Sequence, residues 1–161
     1  WQIKKISNLA DFIVQLDAAK RAKQALLNKP VMDRLNKALQ ATSERLTLNK
    51  DSNKIGSEEK ATLTATIMAK NMSNVAINRM YYDVTVLNDK GEQLYSYPEH
   101  YQGSIAPGQA VELTTSKKLN SMLPDDQKLM NLDITKETVK IQVTYIAFDN
   151  GEVISPKGLI E

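Results

Sequence analysis

The chain contains no cysteine. That single absence excludes disulfides, thiol nucleophiles and thiolate metal sites. Histidine is almost as scarce. With His100 alone, one chain cannot assemble a multi-histidine metal cage or a two-histidine mechanism. A nucleophile–His–acid triad would have to pass through that residue. No apolar run approaches the roughly 18 residues that a membrane span requires, and no secretory signal of the basic, apolar, small-residue type is visible. Glycine is sparse and scattered: Gly56, Gly91, Gly103, Gly108, Gly151 and Gly158 are isolated, so no phosphate-cradling loop exists. Lys20, Arg21 and Lys23 are too few, and too free of interleaved aromatics, for a nucleic-acid surface.

What is present is a change of period along the chain. Leu9, Phe12, Leu16, Ala19 and Leu26 recur at three- and four-residue steps, widened by Ile13 and Leu27, which predicts an amphipathic helix. Ser7 or Asn8 is placed to cap it, and Asp11 lies near the positive end of its dipole. Lys29 precedes Pro30, where helical dihedrals are disfavoured. A second helix is expected after it, with Leu35, Leu39, Thr42 and Leu46 on one face; Pro30 then makes either a hairpin or a kink. The stretch 49–60, with Asn49, Asp51, Ser52, Asn53, Gly56 and Ser57, reads as a linker.

From Ala61 the alternation has period two. Leu63, Ala65, Ile67 and Ala69 form one strand; Met80, Tyr82, Val84 and Val86 form another, running into Asp89-Lys90-Gly91 with a return over 92–97. Val111 and Leu113 follow Pro107-Gly108. Val139, Ile141, Val143, Tyr145 and Ala147 give the longest alternation, and Asn150-Gly151 predicts a type I′ turn after it. Residues 117–135 break this grammar, and Leu119, Met122, Leu123, Leu129, Met130 and Leu132 predict short helical turns plugging one end. The expected fold class is α+β: an N-terminal helical hairpin or kinked helix over 1–48, a linker over 49–60, and an antiparallel Ig-like β-sandwich over 61–161.

Lys70-Asn71-Met72-Ser73, then Val84-Thr85-Val86-Leu87 running into Asp89-Lys90-Gly91, then Ile105-Ala106-Pro107-Gly108, form a pattern. In it, residues 61–116 resemble bacterial cell-envelope Ig-like domains of the FxLYD type or similar small lipoprotein sandwiches. The resemblance implies that the asparagine step closes the first hairpin, that the Pro-Gly turn lies at the opposite end, and that no catalytic residues are to be carried over. The helical arm and the 117–135 insertion depart from the pattern. Such domains are usually accessory binding modules of the envelope, a setting compatible with a cysteine-free chain.

Charge is uneven. Residues 1–58 carry 11 Lys/Arg against 6 Asp/Glu, whereas residues 59–161 carry 10 against 13. A basic arm on a mildly acidic body suits an acidic partner or an anionic membrane surface, and a solvated helix face accounts for the same charges. The chain opens at Trp1, so an upstream signal, lipidated cysteine or anchor is expected; Trp1 with Lys4 and Lys5 would suit a membrane interface, and a frayed chain end accounts for them equally.

The expected function is that of a non-enzymatic envelope protein, periplasmic or lipid-anchored, that binds another protein or itself. Leu9, Phe12, Leu16, Leu35, Leu39 and Leu46 of the arm are the candidate contacts. The alternative is a small-ligand or metal-binding lipoprotein using the segment 95–101, read as a loop in which Tyr95, Tyr97, His100 and Tyr101 would recognise the ligand. No cofactor is expected. Asp125, Asp126 and Asp133 do not match a calcium loop and more simply place acids at a helix start. Met68, Met72, Met80, Met122 and Met130 read as adaptable core filler rather than soft-metal ligands. Asn71-Met72-Ser73 matches a glycosylation sequon that a bacterial setting makes incidental.

Overall fold

The computed structural model describes residues 9–51 and 58–156. A long helix, α1 (Leu9–Ala38), leads into seven strands and two short helical pieces. The strands are β1 (Leu39–Lys50), β2 (Lys60–Asn71), β3 (Ile77–Leu87), β4 (Gln93–Ile105), β5 (Ala110–Asn120), β6 (Thr138–Phe148) and β7 (Val153–Ile154). The helix α2 (Pro124–Met130) and a 3₁₀ turn (Ile134–Lys136) lie between β5 and β6. Two antiparallel sheets, ordered β1-β2-β5 and β4-β3-β6-β7, enclose one core, the expected sandwich. The expected cap at Ser7 or Asn8, and Trp1, Lys4 and Lys5, lie outside the described residues.

The core follows from the alternation. Leu63, Ala65, Ile67 and Ala69 of β2 face Met80, Tyr82, Val84 and Val86 of β3, all buried. Tyr97 of β4 donates to or accepts from Thr115 of β5 across the sheets, Oη to Oγ1 at 2.9 Å, so a buried phenol and a buried hydroxyl satisfy each other. Leu129 and Met130 of α2 close one end of the sandwich, as the 117–135 insertion predicts, although Lys117–Asn120 extend β5. Asp125 and Asp126 occupy the first turn of α2.

Two parities are reset by bulges. In β6 the inward row runs Val143, Ile146, Phe148, because Tyr81 pairs with Tyr145 and Tyr82 with Val143, leaving Thr144 as the extra residue. Tyr145 and Ala147 therefore leave the inward row that the sequence predicts. In β1 the register slips between Ser43 and Arg45, so Leu39 and Ala41 share the inward side with Leu46 and Leu48 across a change of phase.

That strand overturns the expected second helix: α1 runs unbroken through Pro30 to Ala38, and Leu39, Thr42 and Leu46 lie in β1. No hairpin of helices forms. The residues assigned to the end of the arm belong to the three-stranded sheet.

Turn chemistry fixes the connections. Asn88 Oδ1 accepts the amides of Lys90 and Glu92, and Gly91 at φ 79° completes the β3–β4 hairpin. The Asp149-Asn150-Gly151 connection uses the same plan. Gly151 N–H bonds to Phe148 O, and only the glycine has positive φ, so the expected type I′ turn is replaced by a type I turn with a glycine bulge. Gly108, at φ 76° behind Pro107, makes a type II turn closed by Gln109 N–H to Ala106 O.

Asn71 ties three segments together. Fully buried, its Nδ2 donates to Val75 O at 2.8 Å and Ile105 O at 2.9 Å, while its Oδ1 accepts from Ser73 N and Oγ. Its backbone pairs with Gln109 and Gly108. The asparagine step therefore turns the chain from one sheet to the other, rather than closing a hairpin. The Pro-Gly turn lies beside it, not at the opposite end. Met72 N–H also caps the last carbonyl of α1, at Ala38.

Candidate functional site

Pro30 divides α1 into two functional halves. Proline has no amide hydrogen for the Leu26 carbonyl, one turn back. Beyond it, Val31, Met32 and Ala38 pack against the sandwich and Leu35 is completely buried. Arg34 reaches Glu152 at 3.3 Å, and Gln142 donates to Asn36 at 3.3 Å, fastening this end to β6 and the loop after it. Ahead of Pro30, Leu9 is 73% exposed, Phe12 46%, Ile13 49%, Leu16 43%, Leu26 74% and Leu27 61%. Singly exposed leucines are ordinary, but an apolar stripe along about five turns of helix is not.

Of the six arm residues singled out by sequence, Leu9, Phe12 and Leu16 thus lie on one open face. The other three do not join them. Leu35 and Leu39 are core residues, and Leu46 is half-buried on the inner side of β1. Among the described residues, the sandwich covers the stripe only past Pro30.

The tyrosine segment is a strand, not a loop. Residues 95–101 lie within β4, the edge of the four-stranded sheet, where Pro98 is tolerated because an edge strand has an amide side with no neighbour to supply. Period two then separates the candidate residues: Tyr95, Tyr97 and Tyr101 pack toward the core, and His100 points to the outer face. Burial and contact with Asp126 push the Tyr95 phenol up to about 12. Asp126 in turn accepts Asn120 N–H at 3.1 Å. Burial also raises the Tyr97 phenol, partly offset by its bond to Thr115. Tyr101 lies over Gly103, where its hydroxyl would stand 2.6 Å from any added Cβ.

On the outer face the bulge at Thr144 brings Tyr145 beside Tyr81, with ring centroids 4.9 Å apart and His100 edge-on to Tyr81 at 6.2 Å. A shallow depression of 220 Å³ borders this row, lined by Asp83, Glu99 and Thr144 among others. Desolvation alone raises the Asp83 carboxyl. Sequence reasoning missed this row because it places Tyr145 inward; only the bulge reverses it. A second cavity, of 380 Å³, opens where α1 meets the sandwich, between Arg34, Lys37, Ser73 and Phe148.

The carboxylates considered for a cation have other work. Asp126 faces Asn120 and Tyr95, and Asp133 Oδ1 caps the 3₁₀ turn through Thr135 N and Oγ1, which holds its carboxyl below the usual range. Among the described residues, no three His, Asp or Glu side chains gather as a metal site. No described helix is long and apolar enough to cross a membrane. The sequon asparagine is fully buried with both amide hydrogens engaged.

No family model matches the chain, and no curated protein matches it. Solved structures give weak likenesses. The structural-genomics target SoR45 aligns over 79% of this chain and 93% of its own, at 14% identity and a TM-score of 0.42. A protein from Archaeoglobus fulgidus aligns over 70% and 87%, at 15% identity and 0.38. The trimeric lipoprotein SadB of Salmonella enterica aligns over 91% and 80%, at 9% identity and 0.35. Likenesses at these scores carry no argument about what this chain does.

Proposed function

We propose that this protein is a non-enzymatic binding module of the bacterial envelope, periplasmic or lipid-anchored, whose working surface is the apolar face of α1 ahead of Pro30. One observation carries this: Leu9, Phe12, Ile13 and Leu16 are exposed together on a helix whose far end, past Pro30, is the part packed into the sandwich core among the described residues. The sandwich acts as the rigid mount. The setting is the one that the sequence resemblance of residues 61–116 implies, although the Asn71 corner and the Pro-Gly turn beside it depart from that pattern. The engagement of Asp126 and Asp133 in local hydrogen bonds, and the aromatic surroundings of His100, support a binding rather than a catalytic role.

The test compares the intact chain with a Phe12→Asp/Leu16→Asp variant in two assays: sedimentation velocity over a range of concentrations, and flotation with neutral and anionic vesicles. The proposal predicts association in at least one assay for the intact chain and its loss in the variant, with unchanged thermal unfolding. A chain that stays monomeric and free of vesicles, indistinguishable from its variant, would remove α1 as a working surface.

A further inference from the structure

Resting on that assignment of α1, the geometry points to a second copy of this chain as the occupant, paired with the first through an antiparallel two-helix seam. Among the exposed residues, Leu9, Phe12, Leu16, Ala19, Lys23 and Leu26 follow an alternation of three- and four-residue steps, and Ile13 and Leu27, also exposed, widen this row on one side. A row with this spacing is the seam by which one helix meets another. One position of the row is charged. Lysine at a single seam position is a device that sets register and orientation at some loss of stability.

That lysine decides the direction. In a parallel pair, equivalent residues stand level: Lys23 would meet Lys23 of the second copy, and Ala19 would meet Ala19 across a gap. Reversing one helix about a dyad beside Asp17 makes the row self-complementary. Leu9 then lies level with Leu26 of the second copy, Leu16 fills the space left by the small Ala19, and the Lys23 ammonium and stem lie over the Phe12 ring. Each contact occurs twice, as a two-fold interface demands. Charge agrees with shape, because reversing one helix moves each Lys20 and Lys23 away from its counterpart in the second copy. In the parallel arrangement, Lys20 and Lys23 of both copies crowd at one height.

Among the described residues the sandwich core first meets α1 at Val31, and at 1.5 Å per residue the two Val31 positions lie about 40 Å apart along the shared axis. The result is a rod of two helices with a sandwich at each end.

Because the chain has no cysteine, single introduced thiols report the seam directly. Leu9→Cys and Leu26→Cys chains are prepared separately, then oxidised alone and as an equal mixture. Antiparallel pairing gives a covalent dimer several-fold faster in the mixture than in either single preparation, and the product contains one chain of each kind. Equal or faster dimer formation by Leu9→Cys alone would show level, parallel helices and overturn the inference. So would an intact chain that sediments as a monomer with no cross-linking in any arm. In that last case, vesicle binding abolished by Phe12→Asp/Leu16→Asp would leave the working surface standing while this occupant falls. Both thiol sites lie outside the sandwich core, so a matching unfolding midpoint confirms that each variant is folded.

Discussion

Leu16 and Leu35 are the same residue on the same helix, five turns apart, yet one is 43% exposed and the other is completely buried. The difference does not come from helix propensity. It comes from what the chain does next. Beyond Ala38 the backbone turns directly into β1, which brings the last two turns of α1 down onto β6 and β7. Ahead of Pro30 the apolar residues of the stripe stand exposed. An apolar stripe shared by both halves is therefore a core element in one and an open surface in the other, and the same substitution should read out differently in each.

The largest effect expected is at the covered half. Leu35→Ala should destabilise the fold by about 2–5 kcal/mol through lost burial and a residual cavity, measured by chemical denaturation. Leu16→Ala should change that midpoint by less than about 0.5 kcal/mol while weakening association. Similar losses at both sites would erase the contrast. Next comes the corner at Asn71, where Asn71→Leu leaves the Val75 and Ile105 carbonyls without their buried donor and should cost about 1–3 kcal/mol. An unchanged midpoint would mean that water replaces the side chain. Tyr97→Phe is milder. It leaves the Thr115 hydroxyl unpaired at the inter-sheet contact and should cost about 1 kcal/mol in the same experiment.

The smallest effect is one of pH. Tyr95 has its phenol raised to about 12 in the fold from an ordinary value of 10. A group raised in this way binds its proton more tightly when folded, so its stabilisation is complete below pH 10 and is lost as pH rises from 10 toward 12. Tyr82 and Tyr97, raised by burial, fall in the same direction. Tyr95→Phe should flatten part of the alkaline fall in unfolding midpoint and remove one late-titrating phenolate from the absorbance titration. An identical alkaline profile in the variant would contradict a phenol raised by burial and by Asp126.

The alternating strands were legible where parity holds. Leu63 through Ala69 and Met80 through Val86 face inward as their spacing dictates, and Asp89-Lys90-Gly91 turns where a turn is expected. Two of the failures share one physical cause, the extra residue of a β-bulge. At Thr144 it reversed Tyr145, and with it the outer aromatic row. In β1 the slip between Ser43 and Arg45 broke the alternation of Leu39, Ala41, Leu46 and Leu48 into two short pieces. The remaining spacing of Leu39, Thr42 and Leu46 imitates a helix. No glycine or proline marks the junction at Ala38–Leu39, so nothing local announces the change; the stop comes from Met72, distant in sequence, bonding to Ala38. The tyrosine segment was misread because Pro98 suggests a loop, and only its position on a sheet edge makes it compatible with a strand. For the open face, Leu9, Phe12 and Leu16 were legible from period alone. Which leucines the sandwich takes was not, since that depends on where β1 begins.

The central claim is that α1 ahead of Pro30 is covered by another molecule and not by its own sandwich. Amide hydrogen exchange of the intact chain at rising concentration tests this directly, with residues 31–38 as the internal reference. The account predicts that protection over residues 9–29 grows with concentration while that of 31–38 stays constant. Protection over 9–29 that is already high and independent of concentration would contradict it, because the helix would then be sheltered within a single chain.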